Sequence, residues 1–140
     1  MPDTNEGRNK ASVGVVVRNS QGVVLGAMAE SIRNPGSVLG AELIAIRSGM
    51  DFCIRNGYLN ICIFSDSLQA VRSVNNLDEN LGVLGSLVME ICSLLISTNF
   101  VSLIHMSRNA NGVAHLLARM GLSLTSKVVW LEGPFSNLVY

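Results

Sequence analysis

Residues 61 to 68 read Ile61-Cys62-Ile63-Phe64-Ser65-Asp66-Ser67-Leu68, a short apolar run that stops at a polar triplet. A continuous run of this kind is the pattern of a strand covered on both faces. Leu68 to Val74 then carries a short helical pattern, so the triplet is a strand-to-helix junction. In sheets with parallel strands, chemistry gathers where the strands' carboxyl ends open into such junctions. Asp66 is therefore a candidate site residue. The alternative is a helix cap, with Asp66 or Ser67 accepting a backbone N–H; the two coexist if Ser67 caps.

Upstream, Leu39, Leu43, Ile46, Met50 and Cys53 recur at helical spacing, with Ser37 placed to cap and Asn56-Gly57 placed to stop. Further upstream, Val13 to Arg18 and Val23 to Ala29 flank Asn19-Ser20-Gln21-Gly22 and predict a β-hairpin. Downstream, Asn75 to Gly82 reads as a polar loop. Leu84, Leu87, Val88, Ile91, Leu94 and Leu95 form one stripe of a second long helix. Phe100 to Met106 reads as a strand, and a last helix starts near Asn109 with Val113, Leu116, Leu117 and Met120 on one side. The tail from Lys127 has no firm period, although Trp130 and Phe135 suggest docking. The order β-β-α-β-α-α-β-α predicts an α/β layered domain whose mixed sheet starts antiparallel and continues with parallel crossovers.

One domain suits 140 residues. Ten basic and ten acidic residues leave no net charge, so no basic field announces nucleic acid. The hydrophobic share of 49% predicts a large core under a thinly charged surface and excludes a disordered chain. The longest uncharged stretch, Ile91 to Ser107, is broken by Ser93, Ser97, Thr98, Asn99 and Ser102 and reads as a helix plus a strand rather than a membrane span. A polar N-terminus does not resemble a signal peptide. Cys53, Cys62 and Cys92 lie in apolar runs without C-x-x-C spacing and read as reduced core residues. An intracellular location, cytoplasmic or nuclear, is the expectation.

Glu42 is a second anomaly. It projects about 60° from Leu39, on the rim of the apolar stripe. A carboxylate there either snorkels to solvent or is paired, protonated or bound to a cation. Two carboxylates on adjacent elements at one end of a sheet would suit a hard cation such as Mg²⁺.

Four ordered blocks carry a family resemblance: Gly14-Val15-Val16-Val17-Arg18-Asn19-Ser20-Gln21-Gly22-Val23-Val24-Leu25-Gly26, then Ala41-Glu42, then Ser65-Asp66-Ser67, then Arg108, Asn111, Ala114, His115, Leu117, Ala118 and Arg119. Together, over residues 11 to 122, they resemble the type 1 ribonuclease H domain. The similarity is closest to the plant branch at the C-termini of non-LTR retroelement reverse transcriptases and in stand-alone proteins. The resemblance implies a ribonuclease H-like mixed five-stranded sheet flanked by helices. It divides the chain into a polar segment 1–12, a domain 13–122 and a tail 123–140. It also implies Mg²⁺- or Mn²⁺-dependent endonucleolytic hydrolysis of the RNA strand of RNA/DNA hybrids.

In that family four acidic positions hold the metals. Glu42 and Asp66 match the second and third. The first-strand Asp falls, by family spacing, at or upstream of Met1, and Asp3 lacks the apolar run of a strand, so a truncated first strand is expected. The fourth position is His115, a softer ligand that suits Mg²⁺ poorly and Mn²⁺ or Zn²⁺ better; the resemblance implies an auxiliary base or phosphate contact there, against a bland reading of a solvent-facing or capped histidine with no role. Asn111, Arg108 and Asn34 are candidate nucleic-acid contacts, against a bland reading of the two asparagines as cap or turn residues. His105 reads as structural. The competing expectation is a catalytically inactive, retroelement-derived module that binds nucleic acid or protein.

Overall fold

The computed structural model describes residues 10–19, 21–58, 60–76, 82–98, 100–107 and 127–131. They fall into two compact units, one made of the chain up to Gly36 and from Gly112 onward, the other of Ser37 to Asn111.

In the first unit, strands β1 (Lys10–Arg18) and β2 (Val24–Arg33) form the predicted antiparallel hairpin. Asn19 organises its turn. The Asn19 Oδ1 accepts the backbone N–H groups of Gln21 at 2.9 Å and Val23 at 3.0 Å, and the Asn19 N–H donates to the Val23 carbonyl at 2.9 Å. Gly22 takes the positive φ of 81° that such a turn demands. The strands pair from Lys10 opposite Arg33 to Val17 opposite Gly26, with one irregularity before Arg18 meets Val24.

Both strands are longer than periodicity suggests, and β1 begins inside the segment read as a polar N-terminus. Backbone pairing with Arg33, Ile32 and Ser31 recruits Lys10, Ala11 and Ser12 without needing apolar side chains. A third strand, β5 (Val128–Leu131), pairs antiparallel with β2, Ala27 standing opposite Trp130. It lies in the stretch read as a patternless tail. Four residues are too few to show a period, and their partner is about a hundred positions away in the chain.

The second unit starts with helix α1 (Val38–Arg55). Ser37, in extended backbone, caps it by accepting the Gly40 N–H at 2.9 Å. Its C-terminus closes as a Schellman motif: Tyr58 N–H donates to the Cys53 carbonyl at 3.0 Å and Gly57 N–H to that of Ile54 at 3.2 Å, with Gly57 at φ 72°. The Tyr58 ring rests against Phe52, centroids 6.2 Å apart, as the hydrophobic contact of that motif. Strand β3 (Ile61–Ser65), helix α2 (Leu68–Asn76), a 3-10 turn at Gly82–Leu84, helix α3 (Gly85–Ser97) and strand β4 (Phe100–His105) follow. The strands β3 and β4 pair in parallel. Helix α2 runs two residues past its predicted end, and Asn75 there donates from Nδ2 to the Leu103 carbonyl at 3.1 Å.

The three helices and β4 share one core: Leu43, Ile46, Met50, Ala70, Val71, Val74, Val88, Ile91 and Leu103 are buried together. Two expectations fail here. Strand β3 is not covered on both faces among the described residues, since Ile61 and Ile63 are half-buried while Cys62 is exposed and Phe64 is 51% exposed. Cys62 is therefore not a core residue, although all three cysteines are free thiols as expected. An alternating strand made only of apolar residues hides which face is covered.

The expected mixture of antiparallel and parallel strands is present, with helices packed on the parallel pair. Among the described residues the five strands divide into a three-stranded sheet ordered β1-β2-β5 and the two-stranded β3-β4 sheet. The predicted first strand and last helix lie outside the described residues.

Candidate active site

Asp66 directly follows β3. Ser67, not Asp66, supplies the observed cap of α2: its Oγ accepts the Ala70 N–H at 3.2 Å and its carbonyl accepts that of Val71 at 3.0 Å. Ser65 braces the junction from the other side, its Oγ accepting the Ser67 N–H at 3.1 Å. The Ser65 carbonyl accepts the Met106 N–H at 2.9 Å, so the ends of β3 and β4 are tied together beneath Asp66. Asp66 is half-buried and has an interaction partner of its own.

Glu42 stands in the second turn of α1, half-buried beside the fully buried Leu43. It too has an interaction partner. Helix α1 packs against β3 and reaches it through a short connection, so the two elements run antiparallel. Thirteen residues separate Glu42 from Arg55, about 20 Å of helix. Five separate Ile61 from Asp66, about 17 Å of strand. By these lengths both carboxylates lie far from the connection that joins α1 to β3, Glu42 near the start of the helix and Asp66 just past the end of the strand.

His105, read from sequence as structural, ends β4 at the register position opposite Ser65 and is exposed. Only the parallel register brings it alongside the Asp66 junction, a relation that sequence spacing of 39 residues does not reveal. Asn34 follows β2 in the other unit, exposed and in left-handed backbone with φ 54°. Its turn geometry fits the bland reading of an asparagine that tolerates positive φ. His115, Asn111 and Arg108 lie outside the described residues.

Among the described residues no group of three or more His, Cys, Asp or Glu side chains converges on a point that could hold a metal. Glu42 and Asp66 nonetheless offer the hard oxygen donors that Mg²⁺ and Mn²⁺ take, as an open pair rather than a closed cage. Burial pushes the Cys53 thiol up from 9.0 to about 11, and burial also raises that of Cys92, whose Sγ donates to the Val74 carbonyl at 3.4 Å. Cys53 stands about 16 Å along α1 from Glu42 and takes no part in this end of the unit. Among the described residues no helix is long and apolar enough to cross a membrane.

Comparison with known proteins agrees with this architecture. The family model described as reverse transcriptase-like matches residues 2–121. Among solved structures, ribonuclease H1 from the halophilic archaeon Halobacterium salinarum NRC-1 superposes with a TM-score of 0.72 at 23% identity, covering 87% of this chain and 91% of that one. LC11-RNase H1, isolated from compost by a metagenomic approach, superposes with a TM-score of 0.68 at 21% identity, covering 81% and 84%. The same enzyme in complex with an RNA/DNA hybrid gives 0.61 at 19% identity, covering 79% and 84%. No curated protein matches the chain. With the family model spanning most of the sequence and the fold shared with these enzymes, the chain has a ribonuclease H-like fold and belongs to the reverse transcriptase-like family.

Proposed function

We propose that this chain binds RNA/DNA hybrids and hydrolyses their RNA strand as a divalent-metal-dependent endonuclease, with Glu42 and Asp66 as metal ligands and His115 as an auxiliary group. The observation that carries the reading is the presence of two half-buried carboxylates on elements that pack against each other, Glu42 in α1 and Asp66 directly after β3 where the parallel strands end. The relative solved with an RNA/DNA hybrid supports the substrate class. A phosphodiester at neutral pH has a poor leaving group and a repelled nucleophile. When bound, Mg²⁺ or Mn²⁺ supplies an acidified water and charge neutralisation at the phosphate.

The chain's own contribution is to hold the acceptors still. Ser67 and Ser65 satisfy the backbone of the Asp66 junction, and the buried stripe of α1 fixes the helix that carries Glu42. His115, from its matching family position, is suited to move a proton or touch a phosphate when protonated.

The test is cleavage of an end-labelled RNA/DNA hybrid with Mg²⁺ or Mn²⁺. RNA-strand cuts should appear with the parent protein and fall by about a hundredfold or more in Asp66→Asn and Glu42→Gln, the scale of loss seen when metal-site support is removed. Cleavage that survives both substitutions overturns the assignment. Hybrid binding without cleavage overturns the catalytic reading and leaves a nucleic-acid-binding module.

A further inference from the structure

We propose that Lys10 and Arg33, paired across the β1–β2 hairpin, form a two-cation contact for the phosphate backbone of a bound nucleic acid, an inference that rests on the nucleic-acid reading above. The two residues are direct register partners at the open end of the hairpin, and both are exposed. Directly opposed residues on antiparallel strands project from the same face with Cβ atoms about 5 Å apart, and like charges so placed repel. A protein normally relieves such a pair with a carboxylate. Among the described residues neither cation has one: the ion pairs there join Arg47 to Glu90 and Arg55 to Asp51.

The surroundings favour an anion from outside. On the face shared with Lys10 and Arg33 the next opposed pair is Ser12 and Ser31, followed by Gly14 and Ala29, then Val16 and Ala27. That face carries hydroxyls and small residues and no acid. Glu30, the carboxylate of β2, pairs with Val13 and so belongs to the opposite face. A duplex offers one negative charge per about 1.7 Å of its axis, so it can meet both cations at once and remove their repulsion on binding. Ala29 and Ala27 are fully buried, so the exposed part of this face is the end that carries the two cations. The sequence's neutral balance conceals this local charge, because 22 residues separate Lys10 from Arg33 before the hairpin closes.

Fluorescence anisotropy of a labelled RNA/DNA hybrid, titrated in EDTA at several KCl concentrations, tests the pair. Replacing both cations in Lys10→Gln/Arg33→Gln should reduce the slope of log K against log [KCl] by about 2, close to one unit per cation. Lys10→Glu turns the repulsive pair into a cross-strand ion pair; it should raise the melting temperature yet weaken hybrid binding. A merely structural pair would shift the melting temperature and leave the salt slope untouched. If the parent binds the hybrid and the double variant keeps its slope, the cation contact is overturned while the nucleic-acid reading stands. If the parent binds no hybrid at any salt concentration, both fall together.

Discussion

The two units solve the burial problem in opposite ways. Ser37 to Asn111 wraps three helices on a parallel pair of strands and fills the space with large side chains, Leu43, Met50 and Ile91 among those fully buried. The hairpin sheet buries Val13, Val17 and Met28 on one face and Ala27 and Ala29, both fully covered, on the other. Among the described residues, most of the largest buried side chains belong to the helical unit, whereas the hairpin also brings two strand alanines to full burial. The difference extends to chemistry: the helical unit carries both candidate carboxylates, Glu42 in α1 and Asp66 after β3, whereas the hairpin carries the opposed cations.

If that contrast holds, the two units fail under opposite kinds of substitution. Leu43→Ala should destabilise the protein by about 2–5 kcal/mol through the cavity it leaves, read as a lower urea midpoint at unchanged m. In the hairpin the damaging change is growth. Ala27→Leu should cost about 1–3 kcal/mol through overpacking. A neutral Ala27→Leu would break the comparison by showing that the sheet has room.

Cys53 sharpens it further, because among the described residues the buried thiol with a raised proton affinity lies in the helical unit. Its folded proton affinity exceeds the unfolded one: the unfolded chain ionises above about 9.0 while the folded protein keeps the neutral thiol to about 11, so stability is intact below 9.0 and falls as pH rises through that window. At about 1.4 kcal/mol per tenfold change in proton affinity, the full loss is about 2–3 kcal/mol. Cys53→Ala should remove that part of the alkaline slope, measured by urea titration at pH 8.5 and 11. An unchanged slope would show that the thiol ionises freely.

Smaller effects follow at the edges. Ser37→Ala should cost about 1 kcal/mol by exposing the Gly40 N–H at the start of α1. Arg47→Ala should cost less than about 1 kcal/mol and nothing at high salt, because its 3.2 Å pair with Glu90 is open to solvent.

The sequence is most readable where the controlling interactions are local. Ser37, Gly57 and Ser67 mark helix ends whose hydrogen bonds reach only three to five residues, and each mark corresponds to an observed cap or stop. The stripe from Leu84 to Leu95 is similarly self-contained. Reading fails where a partner is remote. The strand at Val128–Leu131 exists because β2 offers an edge, and Phe64 is exposed although it sits in a wholly apolar run. At the candidate site, Asp66 and Glu42 stand out by chemistry that conflicts with their local pattern. His105 does not, because its position beside the Asp66 junction depends on parallel register.

The Asn19 turn gives the hairpin a gauge. By holding the backbone N–H groups of Gln21 and Val23 on one amide oxygen, it sets the count from which every later rung of the ladder is measured. Side chains on a strand alternate with a period of two, so a slip of one residue at the tip sends each to the opposite face. The opposition of Lys10 to Arg33, at the far end, is thus inherited from an asparagine that touches neither. Insertion of a single residue at the tip would reset which side chains meet along the entire ribbon while leaving every one of them in place in the chain.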